Sequence, residues 1–116
     1  MIIMKKKTLL VAALAAGVLI ACKKNSTVAE VDCSTAKSFA TDVSPVIQSS
    51  CSYNSGCHGA GSTKGPGALV TYSEIYNNRA AIRSSVVSGR MPENASLSSS
   101  ALSAIVCWID AGAGNN

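Results

Sequence analysis

Cys51-Ser52-Tyr53-Asn54-Ser55-Gly56-Cys57-His58 is the stretch on which the reading of this chain turns. Two thiols frame a short loop, and the only histidine of the chain follows the second thiol directly. Covalent attachment of a haem needs these groups in this order. Each cysteine adds to one porphyrin vinyl group, and the adjacent histidine is placed under the iron as its proximal ligand. The usual form, C-x-x-C-H, has two residues between the cysteines; here there are five. The vinyl groups sit at a fixed separation, so residues 53–56 must bulge outward if both thiols are to reach them. Asn54, Ser55 and Gly56 suit such a turn.

Working outward, the N-terminal segment is set aside first. Lys5, Lys6 and Lys7 form a positive region, and residues 8–20 form an apolar run ending in Leu19-Ile20-Ala21-Cys22. That pattern is expected of a secretory signal over residues 1–21. The cysteine just after it has the form of a bacterial lipobox, with Cys22 as the lipidated first residue. The run is too short for a comfortable membrane span, which takes about 20 apolar residues. Without Lys5, Lys6 and Lys7, seven basic residues face six acidic ones, so the charge of +4 falls to about +1. Nothing in that balance argues for nucleic acid. Export would place the protein in an oxidising compartment where disulfides persist.

Of five cysteines, Cys22 is assigned to lipid, which leaves Cys33, Cys51, Cys57 and Cys107. Two readings use all four. In one, Cys51 and Cys57 hold haem while Cys33 and Cys107 form a disulfide; in the other, two disulfides form without haem. Structural zinc fits poorly, because one histidine and paired thiols in an oxidising compartment suit disulfides better. The remaining 95 residues allow one small domain with few bulky apolar side chains. Domains with so thin a core usually need a staple, and a haem plate or disulfides would serve.

Residues 22–38 are polar and without period, and are expected to form a lipidated flexible tether; the domain proper is expected over 39–116. Ser44 and Pro45 read as N-cap and first helical position of a helix over 45–50, with Val43, Val46 and Ile47 inward. Five of the nine glycines fall within residues 56–67, with Pro66 among them, so a loop is expected there. Thr71 and Glu74 have capping-box spacing for a helix over 72–77. A further helix over 79–87 turns Ile82 and Val86 to one face and Arg79 and Arg83 to the other, and Gly89 ends it. Ser98 caps a last helix on which Leu102, Ile105, Val106 and Ile109 recur at helical spacing, with Trp108 as a core residue and Gly112 as the stop. No strand alternation of useful length occurs. Between these helices lies Gly89-Arg90-Met91-Pro92, and Met91 is the only methionine after Met4. A lone methionine is more often core filler, yet a haem with one histidine needs a sixth ligand.

These residues together resemble the class I cytochrome c fold. There a helix leads into the haem-binding cysteines and histidine, a methionine-proline loop supplies the distal ligand, and a C-terminal helix with an aromatic residue packs on the first. The ending Trp108-Ile109-Asp110-Ala111-Gly112-Ala113, closed by Asn115-Asn116, is similar to small exported cytochrome-c-like lipoproteins of Bacteroidetes-type bacteria, in which a longer gap between the cysteines and an extra cysteine pair like Cys33 and Cys107 recur. The resemblance implies an all-α, small cytochrome c-like fold of about four short helices around one haem, with a Gly-rich loop. It implies one covalent haem c on Cys51 and Cys57, with His58 as proximal and Met91 as distal ligand. It implies electron transfer with redox partner proteins rather than an enzyme activity. The protein would be held through Cys22 on the bacterial cell envelope, at the outer membrane, facing the periplasm or cell surface. Lys64, Arg79, Arg83 and Arg90 read as a solvated surface rather than a docking face. The alternative is a haem-free, disulfide-stapled lipoprotein acting as an interaction module.

Overall fold

A computed structural model describes residues 29–116. The signal segment, Cys22 and the first part of the tether lie outside the described residues. The described chain is all-α: a π-helical turn, Phe39–Val43, runs straight into α1 (Ser44–Ser50), followed by α2 (Tyr72–Asn77), α3 (Arg79–Val87) and α4 (Ser99–Asp110). No strand occurs among the described residues, and no described helix is long and apolar enough to cross a membrane.

The first helix starts earlier than Ser44 and Pro45 suggested. Ser38 caps it: its hydroxyl accepts the Thr41 amide at 3.2 Å, while its own amide donates to the Asp42 carboxylate at 2.7 Å. The helical turn is therefore already formed when the chain reaches Ser44, which lies inside the helix instead of capping it. Pro45 sits in the first turn of α1, where its missing N–H costs nothing. The later helices fall where the sequence put them. Thr71 Oγ1 accepts the Glu74 amide at 3.2 Å, and Glu74 Oε2 accepts the Thr71 and Val70 amides, both at 2.8 Å. Ser98 Oγ accepts the Ala101 amide at 3.1 Å, and Gly112, at φ 108°, breaks the chain away from α4.

α4 is the centre of the packing. It rests on the π-turn, on α1 and on α3, and all of its residues from Leu102 to Trp108 are buried. Val43 and Ile47 from the first helical run, Ile75 from α2, and Ile82 and Val86 from α3 complete the core. At one end Trp108 anchors an aromatic cluster. Phe39 lies 5.5 Å from Trp108 and 5.1 Å from Tyr72, edge-on to the latter, a geometry that ring quadrupoles favour. The polar tips of two rings fasten the C-terminal tail: Trp108 Nε1 donates to Gly114 O and the Tyr72 hydroxyl to Ala113 O, each at 2.8 Å. The tail then reaches the start of the π-turn, where Ala40 N donates to Asn116 O at 2.9 Å.

Cys33 and Cys107 form a disulfide, with Cα atoms 5.4 Å apart and a sequence separation of 74. Beside it Asp32 N donates to Ser103 Oγ at 2.9 Å, and Ala29 packs on the core. Packing thus extends back into the stretch read as a tether. The two arginines of α3 are engaged within the molecule. Arg83 forms a two-pronged pair with Asp110 at 2.7 and 2.9 Å, and Arg79 stacks 3.9 Å over the Tyr76 ring.

Two outcomes follow from these ties. Replacing both Cys33 and Cys107 by serine opens a loop of more than seventy residues; chemical denaturation should show a loss of about 2–5 kcal/mol. Hydrogen bonds from Thr71 and Val70 hold the Glu74 carboxyl below its ordinary range, and the Arg83 hydrogen bond does the same for Asp110. A carboxyl depressed by folding stabilises above its unfolded value and stops doing so as pH falls through its folded value. The urea midpoint should therefore drop on acidification below about pH 4. In a Glu74→Gln/Asp110→Asn variant that drop should be shallower.

Candidate functional site

α1 ends by delivering the chain to Cys51, whose side chain closes one end of the core. The chain leaves there, makes a closed excursion, and returns: His58 N donates to Cys51 O at 2.9 Å. The residues between are folded by Asn54. Its side-chain Oδ1 accepts the Gly56 and Cys57 amides at 2.9 and 3.1 Å, and its main-chain oxygen accepts the Gly59 amide at 2.8 Å. The outward bulge expected of residues 53–56 is present, and all four are exposed. Gly59 is obligatory in this knot, because a Cβ there would stand 2.6 Å from the Asn54 carbonyl carbon and oxygen.

His58 is buried, at 7 % exposure. Its carbonyl accepts the Leu69 amide at 2.7 Å, and the Ser52 hydroxyl donates to Leu69 O at 2.7 Å, so the segment leaving the Gly-rich loop is bound to both sides of the motif. The His58 ring is oriented by Nδ1, 3.0 Å from Gly67 O, a contact in which the nitrogen donates. Gly67 has φ 104°, a backbone setting that only glycine takes without strain. Nε2 has no hydrogen-bond partner among the described residues. No fully enclosed side-chain nitrogen or oxygen among them lacks one, so Nε2 borders open space. An imidazole with one nitrogen tied to a carbonyl and the other free is prepared as an iron or other metal ligand.

His58 lines a cavity of about 440 Å³ together with Cys51, Tyr53, Gly56 and Cys57 of the motif, residues 91–96, and Ser49, Ser50, Lys64 and Gly65. A second cavity of about 240 Å³ shares His58, Gly65 and Met91 with it and continues along the apolar flank of α3, past Pro66, Leu69, Ala81, Ile82 and Val86. Met91 is set on the wall by its amide, which donates to Ser85 O at 3.1 Å. Cys51, Cys57, His58 and Met91, spread over forty residues of sequence, thus line one space.

Both cysteines are free thiols. Burial pushes the Cys51 thiol up to about 11, and the neighbouring Cys57 adds to the rise. Cys51 is therefore a neutral thiol in the free chain, and a weak nucleophile. An uncharged thioether at the same place would carry no such desolvation penalty. Cys57 is half-buried, and its thiol donates to the Tyr53 hydroxyl at 3.1 Å. Among the described residues no three His, Cys, Asp or Glu side chains group as a metal site. The residues lining the space offer two thiols, one oriented imidazole and one thioether sulfur, around a volume within the range of small-molecule sites, about 300–1,000 Å³.

No protein-family model, curated protein or solved structure matches the chain.

Three features of the site had weak or no signal in the sequence. The Gly67 carbonyl as partner of His58 depends on how a twelve-residue glycine-rich loop closes. The wall from Glu93 to Ser96 is likewise set by tertiary folding. Asn54 had a signal, since asparagine bonds its own backbone two residues on; its place as the organiser of the knot did not. As a test of the knot, Gly59→Ala should cost about 1–3 kcal/mol by overpacking against backbone, read by urea denaturation. Hydrogen exchange at the Cys57 and Gly59 amides should accelerate with it.

Proposed function

We propose that this protein is an electron carrier that holds one c-type haem covalently, in a cytochrome c-like all-α domain, and that it performs no catalysis of its own. The observation that carries the reading is the convergence of Cys51, Cys57, His58 and Met91 on one cavity, with His58 already oriented through Nδ1. Cys51 and Cys57 would hold the group by thioethers, and His58 Nε2 and the Met91 sulfur would be the ligands offered to its iron. A haem bound in this way supplies a one-electron iron couple, raised in potential by the methionine ligand. The chain supplies orientation and exclusion of water: Leu69, Ile82 and Val86 offer an apolar bed, and Gly67 fixes the imidazole. The haem-free reading would pair all four of these cysteines, whereas Cys51 and Cys57 stand as free thiols beside a single Cys33–Cys107 bridge. The segment ending in Ala21-Cys22 supports export and a lipid anchor on the cell envelope, with the outer membrane as the site.

The test is the visible spectrum of the full chain exported from cells with haem-attachment machinery. The reduced protein should show sharp c-type bands. Met91→Ala should keep the covalent haem while losing the methionine-to-iron absorption and lowering the potential. A colourless wild-type protein would remove the reading.

A further inference from the structure

We infer that Asn54 is the positioning residue for the two attachment cysteines, folding the five-residue gap so that both reach one cavity; its purpose, though not its geometry, rests on the haem reading above. The common motif leaves two residues between the thiols, so three more must be placed without separating Cys51 from Cys57. The structure does this by returning the chain to its starting point. The base of the loop is shut by His58 N donating to Cys51 O at 2.9 Å. Above the base, Asn54 alone accepts from three different amides. Gly56 and Cys57 donate to its side chain at 2.9 and 3.1 Å, Gly59 donates to its main-chain oxygen at 2.8 Å, and Cys57 also approaches that oxygen at 3.2 Å. The surplus residues are thereby turned to solvent, while Cys57 and His58 are turned back toward Cys51.

The side-chain requirement is narrow. The carbonyl must stand one methylene from Cα to close the turn over the amides two and three residues on, which asparagine and aspartate satisfy. Glutamine, one methylene longer, carries the same amide beyond the ring. Gly59 is the complement, since any side chain there would collide with the Asn54 backbone. The gap is therefore a specific folded insert. Its length can differ from the usual one because the chain's own hydrogen bonds restore the approach of the cysteines.

The experiment uses the full chain exported from cells without haem-attachment machinery, reduced mildly so that Cys33–Cys107 stays closed. Dibromobimane, which becomes fluorescent when it joins two neighbouring thiols, is the probe. Wild type and Asn54→Asp should be bridged at Cys51 and Cys57 in similar yield. Asn54→Ala and Asn54→Gln should be bridged about fivefold less, the size expected for a lost hydrogen bond. Retention of the Cys33–Cys107 peptide and of the buried Trp108 emission shows that each variant is folded. Rescue by aspartate but not by glutamine separates positioning from general destabilisation. Equal bridging in Asn54→Ala and wild type, or failure of Asn54→Asp to bridge, overturns the inference.

The same variants made with the machinery give a second reading, the number of thioethers per haem by mass and by the pyridine haemochrome spectrum. Two thioethers in both wild type and Asn54→Ala would sink the role of Asn54 and leave the haem reading standing. A wild type that bridges in an Asn54-dependent way yet carries no haem would sink the haem reading and leave the positioning intact.

Discussion

The backbone of one residue joins the parts of this molecule that matter for its chemistry. His58 donates its amide to Cys51 O at 2.9 Å and accepts the Leu69 amide at 2.7 Å. The first bond shuts the loop that carries the two thiols; the second shuts the glycine-rich loop that follows. Without them the imidazole would hang between two segments of open chain, where ordering each residue costs about 1–2 kcal/mol. With them it is buried and its ring is set by Gly67. His58 then lines a cavity to which Met91, the one thioether of the described chain, also contributes.

What holds the frame around that residue is a small core with three fastenings. α4 supplies the longest buried run, the aromatic cluster around Trp108 ties in the π-turn, α2 and the tail, and the Cys33–Cys107 bridge closes the N-terminal approach. None of the core side chains on the π-turn, α1 or α2 is larger than a phenylalanine or tyrosine ring, and a cavity of about 440 Å³ lies at the end of α1. A domain so built has unused apolar wall along α3. On the proposed reading, a flat, mostly apolar group would cover that wall.

The sequence was informative where local chemistry acts alone. Thr71 with Glu74, Ser98, Gly89 and Gly112 announce helix ends through short-range hydrogen bonding and backbone freedom, and α2, α3 and α4 lie where those residues place them. The pairing of Cys33 with Cys107 is one of two arrangements that cysteine parity allowed. The start of the first helix was missed because Ser44-Pro45 is a strong local cap signal, while Ser38 and Asp42 cap one turn earlier and the π-turn carries the helix through. The tether was read from composition, which cannot show that Ala29 and Asp32 find partners on α4 and the core. The site residues were legible as chemical types, through two thiols, one histidine and one methionine. Their common cavity was not, because it depends on long-range folding of the loops at 59–70 and 91–96.

The most direct measurement of the central claim is the mass of the tryptic peptide spanning residues 38–64 from the exported protein, made with haem-attachment machinery. That peptide contains Cys51, Cys57 and His58 and no other cysteine. The account predicts a gain of one haem, with neither cysteine open to alkylation. A peptide of unmodified mass, or one with Cys51 and Cys57 joined only to each other, would contradict it.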